Sequence, residues 1–480
     1  MFRIHTKGGI LLSYTERDQK TARAARRTDV RGRSRLIREG VQIVAGLIPL
    51  RAASAPLTLL AILCALTLAG CAASQSPLAP PEPAAPPQPT APTPPPSNPG
   101  NKAPPTPSAP TVPIPVLPFD EAVNSAASTL FSQAKLPSPS TPASKYLLVI
   151  DPFIDGVSAM QTKATHAVES RIVDLVRSKY SQFSLQPFQA FNVSPSTLVL
   201  MGTLTGINLR GETAGRHEAY RVCLALADLK SGTVVGKGTA RARLQGVEHS
   251  PTPFFQDSPA WMKESSAEGY IATCQASKIG DPIPPAYLNG ILAATLLSNA
   301  IAFYDRGSYR AALDQYTAVL AMPGGNQFRT YNGLYLANLK LGRTKAADEA
   351  FDKIVEYGLA QNRLALKFLF KPGSTAFVQD HKISGPYPFW LKEIARYASQ
   401  RNACLEIIGH TSPTGPEPLN ERLSLLRAEF IKRSLETEAP NLKSRTIAQG
   451  VGSRENLVGN GKDDLSDSLD RRVVFNLIPC

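Results

Sequence analysis

The chain has 480 residues, 42 of them proline, and a formal net charge of +14. That length exceeds what one hydrophobic core organises and implies roughly three folded units joined by linkers. Residues 1–51 hold twelve Lys/Arg against four Asp/Glu, which leaves about +6 for everything after them. With no basic stripe interleaved with aromatics in that remainder, nucleic acid is excluded as a partner.

In chain order, residues 1–70 read as a signal peptide with a basic extension. Pro56 to Gly70 (PLTLLAILCALTLAG) is an uncharged apolar run preceded by Arg51 and the basic stretch Arg31 to Arg38. Its length suits a signal core and falls short of a membrane span. It ends in Leu68-Ala69-Gly70-Cys71, which resembles the lipobox of bacterial lipoproteins. The resemblance implies that Cys71 is acylated and becomes the new amino terminus, a durable membrane anchor because several acyl chains hold where one does not. Ala72 in place of aspartate implies sorting to the outer membrane, with the body facing the periplasm.

Nineteen prolines fall between Pro77 and Pro118. Residues 71–118 therefore read as the lipidated cysteine followed by a polyproline II linker, with a contour on the order of 140 Å.

Residues 119–285 read as an α+β domain. A short helix over Phe119 to Ala134 precedes a buried strand, Lys145 to Pro152 (KYLLVIDP). Val168, Ile172, Leu175 and Val176 mark one face of a helix over Ala164 to Tyr180. Strands are predicted at Ser184 to Phe188, Thr197 to Leu204, Ala219 to Leu226 and Gly232 to Arg243. The succession resembles the periplasmic domains of curli- and flagella-assembly lipoproteins and of translocation proteins. Arg216, His217 and Glu218 form its densest polar cluster and read as loop surface.

Residues 286–362 contain a self-match at an offset of 35, in which Gly307, Ala312 and Tyr316 recur as Gly342, Ala347 and Phe351. Small residues alternating with aromatics resemble tetratricopeptide repeats. Two repeats make a short α-helical pair, a spacer or docking pad, needing a neighbouring domain as its cap.

Residues 363–480 show strands at Ala365 to Phe370, Cys404 to Gly409, Thr446 to Val451 and Arg472 to Ile478, with helices at Pro388 to Ser399 and Leu419 to Leu435. The order makes a two-layer α/β sandwich. Three motifs stand in it: His410-Thr411-Ser412-Pro413-Thr414-Gly415; Asn420 to Ala428 (NERLSLLRA); and Asp470-Arg471-Arg472-Val473, preceded by Gly450 and Gly452. They resemble the OmpA C-terminal domain. The whole is thus a multidomain α+β protein with an N-terminal α+β domain, a helical repeat pair and a C-terminal OmpA-like sandwich.

The resemblance implies noncovalent binding of peptidoglycan through the diaminopimelate of a stem peptide. Arg427 matches the family's ligand arginine, and Thr411, Ser412, Thr414, Asn420 and Leu423 lie in the matching motifs. Ser412 stands where the family carries the aspartate that takes the ligand's ammonium. A hydroxyl accepts a hydrogen bond without supplying charge, at a cost of about 1 to 3 kcal/mol unless Glu417 or Glu421 compensates.

Beyond Cys64 and Cys71, Cys223, Cys274, Cys404 and Cys480 form an even set in an exported chain, which suggests disulfides. Pairing within domains joins Cys223 to Cys274 and Cys404 to Cys480; two other pairings are formally open. No phosphate loop, HExxH, GxSxG or paired metal-ligand spacing occurs. The sequence therefore predicts no enzyme, no cofactor and no metal. It points to an envelope tether, or alternatively to an adapter of a secretion, pilus or flagellar apparatus that meets a protein partner at the α+β domain and the repeats.

Overall fold

A computed structural model describes residues 114–480, except 137, 139, 140, 142, 143, 214, 460 and 462–464. The expected signal peptide, Cys71 and nearly all of the linker lie outside the described residues. The strands are β1 Val116–Leu117, β2 Tyr146–Ile150, β3 Ile154–Asp155, β4 Phe183–Gln186, β5 Leu198–Ile207, β6 Ala219–Asp228, β7 Thr233–Ala242, β8 Ala260–Trp261, β9 Leu364–Leu366, β10 Cys404–Gly409, β11 Thr446–Gly450 and β12 Val473–Ile478. The helices are α1 Phe119–Gln133, α2 Lys163–Lys179, α3 Pro253–Asp257, α4 Ser265–Gln275, α5 Pro285–Leu288, α6 Ile291–Asp305, α7 Tyr309–Leu320, α8 Phe328–Lys340, α9 Thr344–Ala360, α10 His381–Ser384, α11 Tyr387–Gln400 and α12 Glu417–Glu438.

The front sheet has the order β1-β7-β6-β5-β2-β4, with β3 also on β5. Alternation along β5 explains its two covered faces. Leu198, Leu200 and Leu204 meet Val168 and Ile172 of α2 and the alanine face of α1, while Val199 and Met201 meet Tyr270 and Tyr287 on the other side. Helix α2 starts where it does because Thr162 and Thr165 form a reciprocal capping box. One expectation needs correction: Val116 and Leu117, assigned to the linker, pair in parallel with Arg241 and Ala242. A two-residue strand between prolines suits an edge, where its second face needs no partner.

Helices α6 to α9 form two pairs, and Gly307 and Gly342 end the first helix of each in the left-handed region, at φ 75° and 71°. Ala312 with Tyr316, and Ala347 with Phe351, are buried at equivalent places. Their core does not stop at the end of the helices. Phe351 stacks on Trp390 of α11 at 5.4 Å, and the Trp390 indole donates to the Tyr335 hydroxyl at 3.2 Å.

The back sheet has the order β11-β10-β12-β9-β8, with only β10 and β11 parallel. Strand β8 comes from inside the stretch read as the front domain, and Phe254 and Phe255 beside it join the same apolar cluster as the helix pairs and the back sheet. Residues 285–291 cross in the other direction: Tyr287 and Ile291, expected to open the helical repeats, pack on the front sheet. The strand predicted through Phe370 breaks after Leu366. Leu369 and Phe370 instead face Phe377 and Val378 across a tight hairpin whose turn holds Pro372 and Gly373, the latter at φ 61°. Both disulfides, Cys223–Cys274 and Cys404–Cys480, are formed.

Candidate functional site

The site begins where β10 ends. Gly409 and Gly450 lack the Cβ that would meet the backbone of α12 at 2.0 and 2.4 Å, and so the helix lies directly across the ends of β10 and β11. His410, Thr411 and Ser412 continue from β10 and are buried. The His410 amide donates to the Arg472 carbonyl at 3.0 Å, and the Thr411 amide to the Gly452 carbonyl at 2.9 Å. Glu417 accepts from the Ser453 amide at 3.0 Å and from its hydroxyl, and Gly452 N–H donates to Ser424 Oγ at 2.9 Å. Glu417 thus braces the 452–453 turn, and Glu421 pairs with Arg454 at 3.4 Å. Ser412 shares a hydrogen bond with Thr414 at 3.1 Å.

Asn420, Ser424 and Arg427 lie on one buried face of α12. Asn420 reaches back to the Gly415 carbonyl at 3.4 Å and ties the 411–415 loop to the helix. Arg427 sits two turns further on, about 10 Å along the axis, with its side chain tilted toward the helix start. Its Nε donates to the Ser374 carbonyl at 3.1 Å and Nη2 to the Lys371 carbonyl at 3.3 Å, and the guanidinium lies 4.8 Å from the Phe370 ring centre. These contacts come from the hairpin after β9. Leu423 is half-buried on the same helix.

Three more groups shape the site. Asp470 accepts from the amides of Leu457, Val458 and Gly459 at 2.7, 2.9 and 2.8 Å, fixing the strand of loop above the sheet. Arg472 Nη2 donates to the Glu455 carbonyl at 3.0 Å. His410 has both ring nitrogens buried without a hydrogen-bond partner among the described residues. Burial and then Arg472 lower its pKa to about 2. It is therefore neutral, and the Glu455 carboxylate 3.9 Å away makes no ion pair with it. No cluster of three metal-ligating side chains occurs among the described residues. No helix among them is long and apolar enough to cross a membrane.

This sheet, helix and loop arrangement carries an OmpA-family domain: residues 369–468 match that family. Outer membrane protein Omp38 of two Acinetobacter baumannii strains is 40% identical over 89 residues, 18% of this chain. The match spans a quarter of that protein's length. Among solved structures, the peptidoglycan-associated lipoprotein from Burkholderia pseudomallei aligns with 24% of this chain and 89% of its own, at 25% identity and a TM-score of 0.20. The cell wall anchor of the T6SS from Pseudomonas aeruginosa aligns with 24% of this chain and 80% of its own, at 20% identity and a TM-score of 0.20.

Proposed function

We propose that the chain binds peptidoglycan noncovalently through its OmpA-like domain and is held to the outer membrane by lipid on Cys71, so that it tethers the two layers. It acts by binding and not by catalysis. The observation that carries the reading is Arg427, a buried cation on the inner face of α12, held by two main-chain carbonyls on the same helix face as Asn420, which braces the 411–415 loop. A guanidinium held in one orientation suits a ligand carboxylate, because little side-chain freedom remains to be lost on binding. Ser412 and Thr414 offer hydroxyls to the ligand's other polar groups in place of a carboxylate.

The test is co-sedimentation of the full chain with isolated sacculi. Wild type pellets; Arg427→Ala, checked for folding by near-UV dichroism, binds on the order of tenfold or more weakly, as loss of a charged hydrogen-bonding partner does. Ser412→Asp, which restores the family's anion, binds free-amine stem peptides more tightly than wild type. A folded wild-type chain that stays in the supernatant defeats the reading.

The shared core of helix pairs and back sheet favours a second reading, an adapter of a larger envelope apparatus, since a partner gripping the helices would be coupled rigidly to the wall. Recovery of an envelope complex with the full chain, undiminished by Arg427→Ala, identifies it.

A further inference from the structure

We infer that the turn joining β5 and β6 is a second, cationic contact for the same anionic polymer that the OmpA-like domain takes. The inference rests on the proposed binding of peptidoglycan. The turn belongs to the front sheet, 190 or more residues before the site, yet the fold brings it there. The His217 ring lies over Gly206, and a Cβ placed on Gly459 would stand 3.1 Å from His217 Cε1. Gly459 is held in place by Asp470, and two residues on, a Cβ on Gly461 would stand 3.7 Å from Pro413 Cγ in the 411–415 loop. The turn and the ligand loop therefore flank one short segment.

The chemistry of the turn is that of an anion contact. Arg210 and Arg216 are exposed at its tip. Arg241 Nη1 donates to the Leu209 carbonyl at 2.9 Å, and Arg221 Nη1 to the Gly211 carbonyl at 3.4 Å, so two more guanidiniums stand beneath it. Against these four cations are Glu212, 3.2 Å from Arg210, and Glu218, which accepts from the Leu209 amide at 2.9 Å. The excess is positive. Asn208, Leu209, Arg210, Glu212, Arg216 and Glu218 line an open concavity, and Leu209 is 62% exposed in it. An apolar side chain among arginines fits a peptide whose carboxylates are spaced by methyl-bearing residues, which is the chemistry of stem peptides neighbouring the one at Arg427. A repeating polymer can reach both contacts, and the second then acts at high effective concentration.

The experiment compares the full chain with Arg210→Glu/Arg216→Glu. Both side chains are exposed, and the fold does not depend on them. Sedimentation with sacculi is measured over a range of salt, beside binding of a soluble muropeptide with a single stem. The double variant is expected to lose on the order of tenfold in affinity for sacculi, as loss of one of two linked contacts does, and to show a shallower salt dependence. Its muropeptide binding stays at the wild-type level, and Arg210→Lys/Arg216→Lys retains most of the sacculus affinity. Wild-type sedimentation by the double variant overturns the inference. So does an equal loss for sacculi and muropeptide, which would mean that the turn acts through the fold. If wild type itself binds no muropeptide, the proposed function fails instead, an outcome read independently of the double variant.

Discussion

Asp151 follows the end of β2 with its carboxylate accepting the Tyr287 hydroxyl at 2.7 Å, and burial pushes its pKa up to about 7. In the unfolded chain the same carboxyl titrates near 3.9. A raised folded-state value means that stability is fully present below about pH 4 and is lost as pH rises to about 7, by up to about 4 kcal/mol for a shift of this size. Asp151→Asn keeps an acceptor for Tyr287 and removes that contribution: the gap between urea midpoints measured at pH 5 and pH 8 should be smaller for the variant than for wild type. Nothing in KYLLVIDP announces this carboxyl, because its partner lies 136 residues away. The site residues divide in the same way. Arg427, Ser412 and Asn420 stand out in the sequence because their spacing is a motif. The Lys371 and Ser374 carbonyls that hold Arg427 belong to a turn whose backbone, not its side chains, does the bonding, and no residue type marks them.

Elements with a strong period were the most readable. The span of β10 is the predicted one residue for residue, and β5 extends its prediction by three residues at its end, since alternation on a two-faced sheet leaves little freedom in register. Strand β8 was not readable. Two residues carry no period, and its place on β9 is decided by the aromatic cluster around it. That cluster also explains why the helix pairs need no cap of their own: α11 supplies it through Trp390. Trp390→Ala should cost about 3 to 5 kcal/mol, the usual range for deleting a buried aromatic. Because Tyr335, Phe351 and the back sheet share this core, denaturant unfolding followed by far-UV dichroism should shift as a single transition. A variant in which the helix pairs melt early while the sheet stays folded would show that the two are separate bodies.

At the scale of the molecule, the two disulfides close loops of 51 and 76 residues, and each constrains the unfolded chain by about 4 kcal/mol on the chain-entropy model. Disulfides are rare in reducing compartments, so the proposed export of the chain is the setting in which both would persist. On the proposed reading, the lipobox-like Leu68 to Cys71 and the nineteen prolines between Pro77 and Pro118 serve one use, to hold the OmpA-like domain away from the membrane. If Cys71 is the anchor, Cys71→Ser should abolish incorporation of labelled palmitate and move the chain from the outer-membrane fraction to the soluble periplasm. The two ends of the tether would then come apart experimentally. Cys71→Ser should still pellet with sacculi, because Arg427 is intact, whereas Arg427→Ala should keep its lipid and bind sacculi on the order of tenfold or more weakly. Retention of Cys71→Ser in washed, sacculus-free membranes would place the membrane attachment elsewhere in the chain.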